Sequence, residues 1–144
     1  MRQPIKIYFA GSIRGGREDQ ELYLSLIDHL KNYGEVLSEH IGDAALTSSG
    51  EKMDCNEWIH ERDMEWLISS NVIVAEVSTP SLGVGYEIGR GIENQKPILC
   101  LYRKDSGYQL SAMIAGSPDL TVVTYTDLSN AKDAIHSFLI NTIV

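Results

Sequence analysis

The chain is expected to fold as a single-domain, doubly wound α/β protein, a Rossmann- or flavodoxin-like five-stranded parallel sheet with helices on both faces. Three observations predict this. Strand-like apolar runs recur at regular intervals along the 144 residues. Helix-period segments separate them, giving the order βαβαβαβαβα, which demands right-handed crossovers. The runs are also nearly continuous in apolar residues, as strands covered on both faces are.

Strands are expected at 5–10, 35–39, 71–77, 97–102 and 120–125. The first helix, 17–33, places Leu22, Leu26, Ile27 and Leu30 on one face, and Tyr33-Gly34 supplies a stop signal. The second, 56–69, places Ile59, Trp66 and Leu67 together. A Gly-rich helix over 83–94, a short one over 108–115 and a last one over 127–140 complete the order. The stretch 41–54 is rich in Ser, Gly and charge and reads as a loop. No repeat or linker divides the chain, so residues 1–144 form one domain.

Composition narrows the function classes. Net charge is −8 and the pI near 4.9, so the surface repels phosphate polymers and nucleic acid is not an expected partner. A small phosphorylated ligand stays open, because it needs only a pocket of amides and one or two arginines. Cys55 and Cys100 lie far apart and outside any metal-ligand spacing. They read as reduced thiols, with no zinc site or disulfide frame, in a cytoplasmic protein that could also be nuclear in a eukaryote. No run approaches the ~18 apolar residues of a membrane span, and the N-terminal run is too short for a secretion signal.

In such a sheet, ligands bind beyond the carboxyl ends of the strands. After strand 1 come Gly11, Ser12, Ile13, Arg14, Gly15, Gly16 and Arg17. Glycines, a helix start and two arginines suit an anion, although a plain turn with solvated arginines has the same composition. The segment lacks the P-loop pattern. After strand 3, Ser81 precedes a GxGxxxG spacing that begins at Gly83. A dinucleotide fingerprint belongs after the first strand, so a further part of the anion site is the preferred reading. Glu87 falls in the first turn of that helix, where a carboxylate also simply suits the helix dipole. Asp63 lies on the apolar stripe with Ile59, Trp66 and Leu67, so it demands an ion-pair partner or a function. Tyr8 and the pair Glu39-His40 end strands 1 and 2 and point at the same mouth. No Ser-His-Asp order is legible.

These segments together resemble the 2'-deoxynucleoside 5'-phosphate N-hydrolases, small relatives of the nucleoside 2-deoxyribosyltransferases. The resemblance is carried by YFAGSIRGGREDQ at 8–20, SEH at 38–40, IHERDMEWL at 59–67, VAEVSTPSLGVGYEIGR at 74–90, KPILCLYR at 96–103 and LSAMIAG at 110–116. It implies a hydrolase of the N-glycosidic bond of deoxynucleoside monophosphates, working through a covalent glycosyl-enzyme without metal or cofactor. It makes Glu87 the nucleophile, Asp63 the acid beside it and Tyr8 the residue that positions nucleophile and sugar. It assigns the 5'-phosphate to Ser12 and the loop through Arg17, with Ser81 and Gly83, and puts His40 near the base. Ser111, with Ala112 and Met113 beside it, matches a serine reaching the phosphate from the partner subunit of a homodimer. The stretches 43–55 and 120–144 match loosely and imply nothing.

Three rivals share the residues. A base-exchanging nucleoside 2-deoxyribosyltransferase would keep Glu87 but needs no phosphate loop with Arg14 and Arg17. A ribonucleoside monophosphate N-hydrolase would look nearly the same. A non-catalytic nucleotide sensor would have no need to keep Glu87, Asp63 and Tyr8 together.

Overall fold

The structure, a computed structural model, describes residues 4–13, 16–41 and 56–143. Within them the order is β1 (Ile5–Gly11), α1 (Arg17–Leu30), β2 (Gly34–Leu37), α2 (Asn56–Ser69), β3 (Val72–Glu76), α3 (Leu82–Glu93), β4 (Ile98–Arg103), α4 (Ala112–Ala115), β5 (Thr121–Tyr125) and α5 (Leu128–Ile143). All four strand pairings are parallel and the spatial order is β2-β1-β3-β4-β5. The chain winds outward from β1 in both directions, so the switch point lies between β1 and β3.

Strand parity sorts the core into two clusters. Ile7, Phe9, Val72, Val74, Leu99 and Leu101 face one side, against Tyr23, Leu26, Ile27 and Leu30 of α1 and Ala131, Ile135 and Leu139 of α5. Tyr8, Ala10, Ile73, Ala75, Ile98 and Cys100 face the other, against Met64 and Leu67 of α2 and Val84 and Ile88 of α3. This two-sided burial is why the strands read as continuous apolar runs. The Cys100 thiol is buried there and pushed up to about 12 by desolvation, so it is inert packing. Cys55 lies outside the described residues.

The element ends differ from expectation for physical reasons. Helix α1 stops at Leu30, with Lys31 at its C-cap. Gly34 is therefore no helix cap but the first residue of β2, paired with Ile5. A Cβ there would lie 2.3 Å from the Ile5 carbonyl oxygen, so only glycine lets the two strands meet. Strand β2 ends at Leu37, and Ser38 starts a helical turn by accepting the His40 N–H at 3.2 Å. Of the helix expected over 108–115, only Ala112–Ala115 forms, capped by Ser111. The Gly-rich helix α3 runs one turn of sequence close to the sheet, where a Cβ on Gly91 would sit 2.4 Å from Ile73 Cδ1. Of the loop expected over 41–54, only Ile41 is described, at the end of the turn that Glu39 begins.

Candidate active site

Tyr8 is even-numbered on β1 and so faces α2 and α3. Its hydroxyl donates to Glu87 Oε2 at 2.5 Å, tying the strand to the second turn of α3, one turn deeper than the first turn expected for Glu87. Ser81 sets where α3 starts, its Oγ accepting the Val84 N–H at 3.2 Å. Glu87 is 8 % exposed and Asp63 5 %, a rare state for carboxylates. Asp63 comes from the buried stripe of α2, as its spacing predicts. Carboxylate oxygens of Glu39, Asp63 and Glu87 all lie within 4.8 Å of one another. An all-oxygen set of this kind suits a hard cation in principle. Two of its members already hold other partners, Tyr8 on Glu87 and Arg62 on Asp63.

Asp63 has the ion-pair partner that its position demanded. Its Oδ1 accepts from Arg62 Nε at 3.0 Å and pairs with Nη2 at 2.9 Å. Arg62 is itself sandwiched, with its guanidinium 5.1 Å from the Trp58 ring centre and 4.7 Å from that of Trp66. The pair is built on a rigid platform at the edge of the carboxylate cluster.

Desolvation pushes the Glu87 carboxyl up to about 7, and the Asp63 charge adds to it. The Tyr8 hydrogen bond and Arg62 pull the other way. Glu87 is thus poised to change charge near neutrality, as reacting carboxylates often are. The Tyr8 phenol is pushed well above its ordinary value, first by burial and then by Glu87, so it stays protonated and donates. Since Glu87 holds its proton more tightly folded than at its ordinary 4.5, its contribution to stability falls as pH rises from 4.5 to about 7. Tyr8→Phe removes a donor that favours the carboxylate form. In that variant an NMR titration of the Glu87 carboxyl is expected to move its midpoint above the parent value; an unchanged midpoint would contradict this account.

A cavity of about 460 Å³ opens above Glu87, lined by Gly11, Ser12, Ile13, Glu39, Pro80, Ser81, Leu82, Gly83 and Val84. The start of α3 lines it through Ser81, Leu82, Gly83 and Val84, and the end of β1 through Gly11, Ser12 and Ile13. The free amides and positive dipole end of α3 make this wall favourable to an anion. A Cβ on Gly11 would crowd Tyr23 at 3.1 Å, so glycine lets this wall close on the core. The Glu39 and Glu87 carboxylates line the same cavity. A molecule anionic at one end and reactive in the middle fits this polarity.

Half of the residues singled out in the sequence meet here: Tyr8, Gly11, Ser12, Ile13, Asp63, Ser81, Gly83 and Glu87. Arg14, Gly15 and the Arg17 side chain lie outside the described residues. His40 is turned toward the chain, its Nε2 3.0 Å from the Gly11 carbonyl and its ring 4.9 Å from that of Tyr23. A carbonyl only accepts, so Nε2 carries the proton and braces the loop after β1. Ser111 and Met113 line a neighbouring cavity of about 500 Å³, which shares Pro80, Ser81, Leu82 and Val84 with the first. Ala112 opens the short helix α4 beside them. Glu39 was underweighted from sequence, although its place at the end of β2 was the available signal. The Arg62 partner could not be told from any other arginine.

Comparisons with known proteins give the chain a family. The family model for nucleoside 2-deoxyribosyltransferase matches residues 7–131. The chain is 56 % identical over 117 residues to a mouse (Mus musculus) protein named 5-hydroxymethyl-dUMP N-hydrolase, covering 81 % of this chain and 68 % of that one. It is 53 % identical over 113 residues to the Danio rerio protein of the same name, covering 78 % and 79 %. Among solved structures, a CMP N-glycosidase of Clostridium botulinum superimposes with a TM-score of 0.69 over 93 % of this chain and 99 % of its own, at 16 % identity, which speaks to fold alone. The family model spans the loop after β1 and the start of α3, and the chain belongs to the nucleoside 2-deoxyribosyltransferase family, among relatives named as N-hydrolases.

Proposed function

We propose that the protein hydrolyses the N-glycosidic bond of 2'-deoxynucleoside 5'-monophosphates, releasing free base and 2-deoxyribose 5-phosphate. The observation that carries the reading is the Tyr8–Glu87–Asp63 grouping beside a cavity that Glu87 lines together with Gly11–Ile13 and the start of α3. The relatives' names support the substrate class, and 5-hydroxymethyl-dUMP belongs in the first panel of substrates.

In this reading the phosphate sits on the amides and hydroxyls around Ser12, Ser81 and Gly83, with Arg14 and Arg17 as charged donors. Its binding energy orients a sugar whose reacting bond is remote from it. A Glu87 carboxylate oxygen attacks C1', the C1'–N bond breaks, and the electron pair leaves with the base, which takes a proton relayed from solvent by way of Asp63; the water that later attacks C1' gives a proton back. Water then attacks C1', frees Glu87 and delivers deoxyribose 5-phosphate. Carboxylate oxygens within 4.8 Å of each other leave little room for a water between them, which favours direct attack over an inverting route. Tyr8 holds Glu87 until the sugar arrives. No metal or cofactor has a part in these steps.

The site is proposed to be completed by a second copy of the chain. Leu82 is 96 % exposed and Met113 81 %, side by side around the second cavity, which is an unusual place for apolar side chains in a monomer. A homodimer would cover them and bring a partner Ser111 toward the phosphate. Sedimentation is expected to give a dimer that Leu82→Asp disrupts, with loss of activity; a fully active monomer would remove Ser111 from the site. No described helix is long and apolar enough to cross a membrane, and the reduced-thiol reading makes the compartment cytoplasmic.

The function is tested by incubating the protein with deoxynucleoside monophosphates, their ribo counterparts and free deoxynucleosides, and separating released base. Release from the deoxy monophosphates alone is expected. Base exchange on free nucleosides would instead indicate a transferase, release from ribonucleotides a ribonucleoside monophosphate N-hydrolase, and tight binding without release a nucleotide sensor.

A further inference from the structure

A second polar cluster lies on the face of the sheet opposite Glu87. Strand parity puts Glu76, Arg103 and Tyr125 there, at the carboxyl ends of β3, β4 and β5. Glu76 is 1 % exposed. Its Oε1 accepts the Ser78 N–H at 3.0 Å, and its Oε2 accepts from Ser78 Oγ at 2.8 Å and from the Tyr125 hydroxyl at 2.5 Å. All three partners donate, which fits an ionised carboxylate. Ser78 Oγ in turn accepts the Arg103 N–H at 2.7 Å. One residue on, Thr79 Oγ1 donates to Asp19 Oδ2 at 2.9 Å, and Arg103 Nη1 stands 3.8 Å from Asp19 Oδ1.

None of these side chains lines the cavity above Glu87. Yet Ser78 and Thr79 lead directly into Pro80–Gly83, and Asp19 sits in the first turn of α1, just after the other loop. Carboxylates so near an anion-favouring wall oppose anion binding unless they are neutralised. Apolar residues would pack these positions without that penalty. Hydroxyls and Arg103 satisfy both acids, and the price is accepted where the two loops must be held together.

We propose that the Asp19–Thr79 contact, backed by Glu76, Ser78, Tyr125 and Arg103, is a positioning network that sets the spacing of the two loops that grip the substrate phosphate. Asp19 and Thr79 are its positioning residues. The proposal rests on the phosphate reading above and adds to it the device that fixes the grip.

Thr79→Val keeps the shape and removes one donor. On the full chain, Kd for 2-deoxyribose 5-phosphate and for inorganic phosphate is measured by calorimetry, with KM and kcat for a deoxynucleoside monophosphate and for its unphosphorylated nucleoside. The expected result is a roughly 3–10-fold rise in Kd and KM for the phosphorylated ligands, from one lost hydrogen bond to a charged acceptor. kcat and the unphosphorylated substrate should stay within about twofold, and Thr79→Ser should restore the parent values. An unchanged KM, or an equal loss on both substrates together with a lower Tm, overturns the proposal in favour of ordinary packing. If Thr79→Val does not fold, Asp19→Asn carries the same comparison. Base release by the parent protein tests the catalytic reading separately: a parent that binds phosphate without releasing base loses that reading, while the Kd ratio still decides the network. A parent that binds no phosphate ligand sinks both.

Discussion

Glu87→Ala is expected to lower base release from a deoxynucleoside monophosphate by at least ~10³-fold while leaving nucleotide binding close to normal, as loss of a nucleophile does. The geometry separates the two readouts. Glu87 lies on α3 past the start at Ser81 and Gly83, and the proposed phosphate grip of Ser12, Ser81 and Gly83 does not include it. Removing a charge whose folded carboxyl is pushed up to about 7 by burial also relieves a folding cost. The variant should therefore be at least as stable as the parent above pH 7, so loss of activity will not be confounded with unfolding. In the parent, activity should fall as pH drops below about 7, because only the carboxylate attacks. Near-normal turnover in Glu87→Ala would end the assignment of this residue as nucleophile.

Asp63→Asn is expected to cost ~10²–10⁴-fold in kcat, the usual range for a positioned acid or base. It keeps the size of the side chain and a carbonyl acceptor for Arg62 but has no proton to give and no charge. Because Asp63 also raises the Glu87 carboxyl, the acid limb of the pH profile should shift to lower pH in this variant. The ion pair with Arg62 is nearly buried, with side chains 10 % and 7 % exposed, so some stability will be lost as well. A substrate with a better leaving base separates the effects: assistance to departure predicts that the defect shrinks with it. If only Tm moves and kcat holds, Asp63 is a structural partner of Arg62 and nothing more.

The topology was readable because its cause is local and repeated. Continuous apolar strands, separated by helix-period segments, leave a parallel two-sided sheet as the simple solution, and the carboxyl-end rule then points at the right loops. Asp63 was readable as an anomaly, since a carboxylate on an apolar stripe has to be explained whatever the fold. Element ends were less so. Tyr33-Gly34 looks like a helix stop, but the glycine serves the pairing of β2 with Ile5, a contact between residues 29 positions apart. His40 faces the Gly11 carbonyl, which its place at a strand end could not reveal.

The sequence determined the strands, their order and the need for cover on both faces, because continuous apolar runs cannot stay exposed on either side. Which group sits on which face was decided by the fold: Tyr8 faces α3, and Glu76 the reverse side. What also needed the folded chain was distance between segments far apart in sequence: Tyr8 on Glu87, Glu39 beside Asp63, Thr79 on Asp19. Those contacts depend on how deeply α2 and α3 sit on the sheet, set by glycines such as Gly91 and by the packing of Met64, Leu67, Val84 and Ile88. The charge state of Glu87 belongs with them, since desolvation is a property of everything packed around a group and not of the residue itself.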